Sequence, residues 1–161
     1  MNTKPKITLI SIAATAVMCL VVSSLQAAPS DEIQRAVARS GAPSVSQAQP
    51  DVFLHAFSSV LVRNRGNAAA CVSAAIAMRS DLAPQITVAA LRAHRPGAGK
   101  IAEKQASCDW VDPIIRAAIA AAPSAKDAIV RATIDAEPYA RECILAAARI
   151  SDRDLDRKSV V

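Results

Sequence analysis

Aromatic residues and histidines are scarce in this chain of 161 residues, and their scarcity narrows the classes of function. The chain holds two phenylalanines, one tryptophan, one tyrosine and two histidines. Sites for single-stranded nucleic acids place aromatic side chains among basic ones, and His55 and His94 stand in no metal-ligand spacing with cysteines or carboxylates. The sequence therefore predicts no nucleic-acid partner, no metal and no cofactor.

Glycine is also scarce, and the one phosphate-loop-like motif, GAGK at residues 97–100, is incomplete. A phosphate-binding loop needs glycine at position 94 and serine or threonine at position 101, where the chain has His94 and Ile101. A Cys-x-x-Cys motif, which redox proteins use, is absent as well. Because no motif for catalysis is present, we expect a protein that is not an enzyme.

Residues 1–28 have the pattern of a secretory signal peptide. Lys4 and Lys6 form a charged start, residues 7–22 are mostly apolar, and the small residues before Ala27 and Ala28 suit a cleavage site. The alternative is a retained membrane anchor, because the apolar stretch is just long enough to span a bilayer. The sequence predicts an exported protein, periplasmic or secreted, with no transmembrane span after signal removal.

Alanine and isoleucine are abundant instead, and they form an internal repeat. The segments IIRAAIAAAP, IVRATIDAEP and ILAAARI begin 15 residues apart, at Ile114, Ile129 and Ile144, with Pro123 and Pro138 in register. Alanine is the best helix former, whereas proline inside a helix breaks it. Each unit therefore predicts a helix of about 11 residues and a turn.

Helices this short are marginal alone and must pack on one another. We expect an all-α fold in which about six or seven short antiparallel helices stack as hairpins, either solenoid-like or as a compact bundle. After the signal peptide, residues 29–50 are expected to form an N-terminal helix and a Pro/Ser-rich linker. Residues 51–150 are expected to form the Ala-rich repeat domain, and residues 151–161 a charged tail.

Individual helices can be placed from apolar spacing and capping residues. Residues 51–62 predict a helix with Phe53 and Phe57 as core anchors, although a strand over residues 52–57 competes with it. Asp112 before Pro113 predicts a further helix start. Four other polar residues are candidate helix caps, namely Ser30, Asp51, Asn67 and Ser124.

Three cysteines follow the signal peptide: Cys71, Cys108 and Cys143. In an exported chain a disulfide is the default, so one pair and one remaining thiol are expected. If alternate helices are antiparallel, all three cysteines lie at one end of the array. We expect Cys108 to be bonded, to Cys143 slightly in preference to Cys71; alternatively, Cys71 and Cys143 are small core residues.

A basic cluster lies in the long irregular stretch of residues 94–112 and just before it. It could face an anionic partner, or it could be a solvated loop. Trp110, beside Cys108 in the same stretch, is expected to pack over a disulfide rather than to be an exposed contact. The cluster consists of Arg92, His94, Arg95, Lys100 and Lys104.

These patterns favour a binding or structural role in the cell envelope, because repeat arrays act through an extended surface. The partner would be a protein or another envelope component. One alternative is a protein that associates with membrane surfaces through the basic loop and amphipathic helices. The other is a thiol or redox protein that uses the remaining cysteine.

Overall fold

A computed structural model describes residues 27–94 and 106–149, and seven α-helices account for most of them. The predicted all-α fold is confirmed: these residues form helices, short turns and loops. In chain order the helices are α1 (Pro29–Arg39), α2 (Pro50–Arg63), α3 (Ala68–Met78), α4 (Ala83–Arg92), α5 (Cys108–Ala121), α6 (Lys126–Ala136) and α7 (Arg141–Ala148).

The 15-residue repeat corresponds to a helix and a tight turn. Helices α3 and α4 begin 15 residues apart, as do α6 and α7, and each follows a 3₁₀ turn of three residues. The residue before the turn has the same backbone conformation in three connections, with φ and ψ of −141° and 70° at Arg79, −137° and 73° at Ala122, and −135° and 69° at Glu137. Proline follows Ala122 and Glu137 and disfavours the helical conformation in the residue before it. The prolines therefore end the helices, as the sequence predicts.

The helices stack in two layers. Besides its neighbours in the chain, each helix packs mainly against the helix two places away. The odd layer therefore runs α1, α3, α5 and α7, and the even layer runs α2, α4 and α6. The three-residue turns make the helices that they join antiparallel. The start of α5 meets the end of α4 through Trp110 and Ala90, and the start of α1 meets the end of α2 through Glu32 and Asn64, so helices within one layer point in the same direction. This arrangement fits the predicted all-α fold, a helical-repeat stack or a bundle.

The core lies between the layers and is built from the apolar stripe of each helix. Phe53 and Phe57 are fully buried, as predicted, and so is the first isoleucine of each repeat unit, at positions 114, 129 and 144. On α6, Asp127 and Arg131 lie on the exposed face and Thr133 on the buried one, so this helix is amphipathic. Helix α1 contributes Ile33 and Val37 to the same core.

The predicted helix caps are wrong in detail. Ser30 and Asp51 lie inside their helices, because Pro29 and Pro50 occupy the first helical positions. Asn67 stands at the N-cap of α3 but makes no side-chain capping bond. Ser124 lies within the 3₁₀ turn before α6. The 3₁₀ turns supply backbone partners for the first amides of the helices that follow them, so these helices do not depend on side-chain caps.

Helix α5 begins at Cys108, five residues before the predicted start at Pro113. Proline inside the helix removes one N–H, which would have bonded the carbonyl group of Asp109 one turn earlier. Two contacts absent from the other repeats hold the extra turn: the indole N–H of Trp110 donates to the Ala90 carbonyl at 3.2 Å, and Cys108 is cross-linked. Asp112 does not cap the helix but pairs with Arg116 at 2.8 Å.

Within residues 27–94 and 106–149, every helix is too short or too polar to traverse a lipid bilayer.

Candidate functional site

The cysteines are arranged as the sequence predicts. A disulfide joins Cys108 at the start of α5 to Cys143 in α7, with 5.2 Å between the Cα atoms. Cys71 in α3 is a free thiol with no solvent exposure, so the preference for Cys143 as the partner of Cys108 is confirmed. Burial raises the pKa of the Cys71 thiol, and the nearby Glu32 carboxylate raises it further. A raised pKa keeps the thiol protonated and disfavours nucleophilic chemistry.

One end of the stack brings together the starts of the odd helices and the ends of the even ones; we call it the cysteine end. The amide of Asn64 donates to Glu32 at 2.8 Å, which ties the end of α2 to the start of α1. Arg65 before α3 donates to the carbonyl of Ala93 after α4 at 3.0 Å. Together with the disulfide, these bonds fix the relative positions of the helix ends.

The basic cluster is described only in part. Arg92 is an exposed residue at the C-terminal end of α4. His94 is partly buried, and its Nδ1 lies 3.0 Å from the carbonyl oxygen of Leu91. Arg95, Lys100, Lys104 and the whole GAGK motif fall outside the described residues. Trp110 packs against the core from within α5 rather than from a loop.

A groove runs between the parallel helices α2 and α4 on the outer side of the even layer. It encloses about 610 Å³, which is within the range of ligand-binding sites. Most of its lining is apolar, with Ser58, Gln85 and Arg92 as the polar exceptions. The lining residues are Leu54, Ser58 and Val62 from α2, Pro84, Gln85, Val88, Ala89, Arg92 and Ala93 from α4 and the residue after it, and Ala132 from α6.

Two side chains, Val62 and Arg92, determine the exposed apolar surface and the charge of the α2–α4 groove. Val62 is 47% exposed, and only Tyr139 is a more exposed large apolar residue in the described part of the chain. Arg92 forms no salt bridge or hydrogen bond with any part of the chain that the structure describes. Within residues 27–94 and 106–149, nothing covers this apolar surface or pairs with the positive charge at one end of it, the cysteine end.

The sequence pointed to Arg92 but not to the groove. Val62 directly follows the core residues Val60 and Leu61, so the run of three apolar residues suggests burial at all three positions. The signal that could have found it is the spacing of Leu54, Ser58 and Val62, which places them in one row beside the core stripe.

The described residues contain no group of three or more histidines, cysteines or carboxylates close enough to hold a metal ion. The only buried polar residues among them are Thr87 and Thr133, whose hydroxyls donate to the carbonyl groups of Ala83 and Ile129, one turn earlier in their own helices. These hydroxyls are engaged in the helix backbone. The α2–α4 groove is thus a candidate surface for an apolar partner among the described residues.

Comparison of the chain with protein-family models, with curated proteins and with solved structures gives no match.

Proposed function

We propose that this protein is an exported helical-repeat binding protein of the cell envelope, which holds a partner in the α2–α4 groove. The single observation that carries the proposal is the groove itself, an open apolar groove of about 610 Å³ in which Val62 is exposed among the described residues. Exposed apolar patches with a polar rim are typical of interaction sites. Two-layer helical stacks present such surfaces because each layer leaves one side free.

Two features support export. The pattern of residues 1–28 is typical of a signal peptide, and the Cys108–Cys143 disulfide suits an oxidising compartment. A thiol enzyme receives less support, because the free thiol of Cys71 is fully buried.

The test compares the proteins that the wild type and two single-residue variants retain from an envelope extract. Val62→Asp places a charge in the groove, whereas Tyr139→Asp places the same charge on an exposed apolar residue that does not line the groove. We expect the wild-type protein and Tyr139→Asp to retain the same partner and Val62→Asp to lose it. Circular dichroism checks that both variants stay folded.

Two outcomes would contradict a binding role for this surface. In the first, Val62→Asp retains the same proteins as the wild type. The other is an extract in which the wild-type protein retains nothing above the background of an unrelated helical protein.

A further inference from the structure

We infer that the α2–α4 groove binds an amphipathic helix of a partner protein and that an acidic side chain of this helix pairs with Arg92. The inference rests on the proposed binding function and deepens it, because it states what kind of partner the groove accepts. Three properties of the groove support it: its length, the chemistry of its lining and its charge.

The groove has the length of two helical turns. On α2, Leu54, Ser58 and Val62 are spaced four apart and span eight residues, or about 12 Å of helix axis. On α4, Gln85, Val88 and Arg92 span seven residues, or about 11 Å. A helix lying along the groove presents its residues i, i+4 and i+7 over the same distance.

The chemistry of the lining favours a helix over an extended peptide. An extended peptide has unpaired backbone N–H and C=O groups, which need partners when they are buried. The groove offers few such partners, since its polar lining consists of Ser58, Gln85 and Arg92. A helix satisfies its own backbone and needs only apolar contact along one face.

The charge of the groove defines the partner further. Arg92 lines the groove at the cysteine end, beside the C-terminal turn of α2 that carries Val62, whereas the opposite end is lined by the uncharged Leu54, Pro84 and Gln85. Moving an uncompensated guanidinium next to an apolar partner is unfavourable unless the partner supplies an anion. The partner helix therefore carries Asp or Glu at the end of its apolar stripe that meets Arg92.

The test selects binders from a display library of helical peptides of about 16 residues with apolar anchors at i, i+4 and i+7. Flanking positions vary among Glu, Gln, Lys and Ala. The purified full-length protein is the target, and an unrelated helical protein serves for counter-selection, so that Val62→Asp is kept for testing the selected peptides. We expect enrichment of Glu over Lys at one flank of the apolar stripe.

A selected peptide is expected to bind Val62→Asp and Arg92→Glu at least about tenfold more weakly than the wild type, while Tyr139→Asp and Arg39→Glu bind it normally. Arg39 is an exposed arginine on α1 outside the groove.

Charge exchange makes the test specific. If the acidic residue of the peptide meets Arg92, a Glu→Lys peptide recovers affinity for Arg92→Glu while losing it for the wild type. Enrichment of Lys, or peptide binding that survives Val62→Asp, overturns the inference. Val62-dependent binding of dodecanoate with no peptide binding also overturns it, since the groove would then accept a small anionic amphiphile. If an envelope partner is lost with Val62→Asp but is insensitive to Arg92→Glu and to the peptide, the proposed function stands and this inference fails.

Discussion

At the scale of single residues, Arg79 joins three parts of the chain at the end of α3. Its guanidinium pairs with Asp81 at 2.8 Å and donates to the carbonyl groups of Ala48 at 2.9 Å and Val45 at 3.4 Å. It also lies 5.7 Å from the centre of the Phe53 ring. One side chain thus fixes the segment between α1 and α2 to the turn between α3 and α4.

Replacing Arg79 tests this role. In Arg79→Met the carbonyl groups of Val45 and Ala48 lose a charged donor in a partly buried setting, and we expect a loss of about 1–3 kcal/mol in the free energy of unfolding. Arg116→Met is the matched control, since Arg116 forms an exposed pair with Asp112 one turn away, worth about 0.5 kcal/mol or less. Urea unfolding followed by circular dichroism measures both; equal losses in the two variants would contradict the role of Arg79.

The Arg79–Asp81 pair also predicts a pH dependence. The Arg79 guanidinium, mainly through its hydrogen bonds, lowers the pKa of the Asp81 carboxyl group in the folded protein. A lowered pKa stabilises the fold above the unfolded value of about 3.9, and the stabilisation disappears as the pH falls through the folded value. We expect the wild type to be more stable than Asp81→Asn at neutral pH and the difference to disappear in acid. A difference that grows in acid would contradict the assignment.

The burial of Cys71 predicts selective labelling. In the folded, unreduced protein we expect iodoacetamide to leave Cys71 unmodified, because the thiol is enclosed and its pKa is raised. In urea without reductant Cys71 becomes accessible, while Cys108 and Cys143 stay protected by their disulfide. Peptide mapping distinguishes the sites; fast labelling of Cys71 in the folded state would revive a reactive-thiol role.

At the scale of elements, the sequence predicts what depends on local chemistry. The prolines that begin the turns and the 15-residue spacing are sufficient to place α6 and α7. They fail at α5, because the turn that starts at Cys108 is held by tertiary partners: Ala90 through Trp110, and Cys143 through the disulfide. The α2–α4 groove was missed for a related reason, since it exists only where the side chains of two helices, 30 residues apart in the chain, line the same surface.

The close approach of helices in the odd layer gives an element-scale prediction. Ala75 on α3 and Ala118 on α5 are fully buried, and these two helices pack extensively against each other. A larger residue at such a contact strains the packing, so we expect Ala75→Leu to destabilise the protein by about 1–3 kcal/mol. Ala77→Leu, on the exposed face of the same helix, is the control and should change little. Equal thermal stability of the two variants would indicate a loosely packed layer.

At the scale of the whole molecule, the stability of each helix depends on its neighbours in the stack, because each helix packs mainly on those one and two places away. Helix α7 stands at one end and packs mainly on α5 and α6, whereas α3 packs mainly on four other helices. In such arrays stability is roughly a sum of local terms. Both end helices of the described stack, α1 and α7, pack mainly on two others, and the Cys108–Cys143 disulfide ties α7 to α5.

Removing this disulfide should therefore loosen one end of the molecule before the rest. Closing the chain between Cys108 and Cys143, 35 residues apart, contributes roughly 3–4 kcal/mol in the chain-entropy description. In the double variant Cys108→Ser, Cys143→Ser we expect faster amide exchange in α7 and the first turn of α5 and smaller changes in α1, which packs mainly on α2 and α3. Hydrogen exchange with mass spectrometry resolves these segments. Exchange that accelerates equally in all seven described helices would mean that the chain unfolds as one unit and that the disulfide stabilises the whole molecule rather than its end.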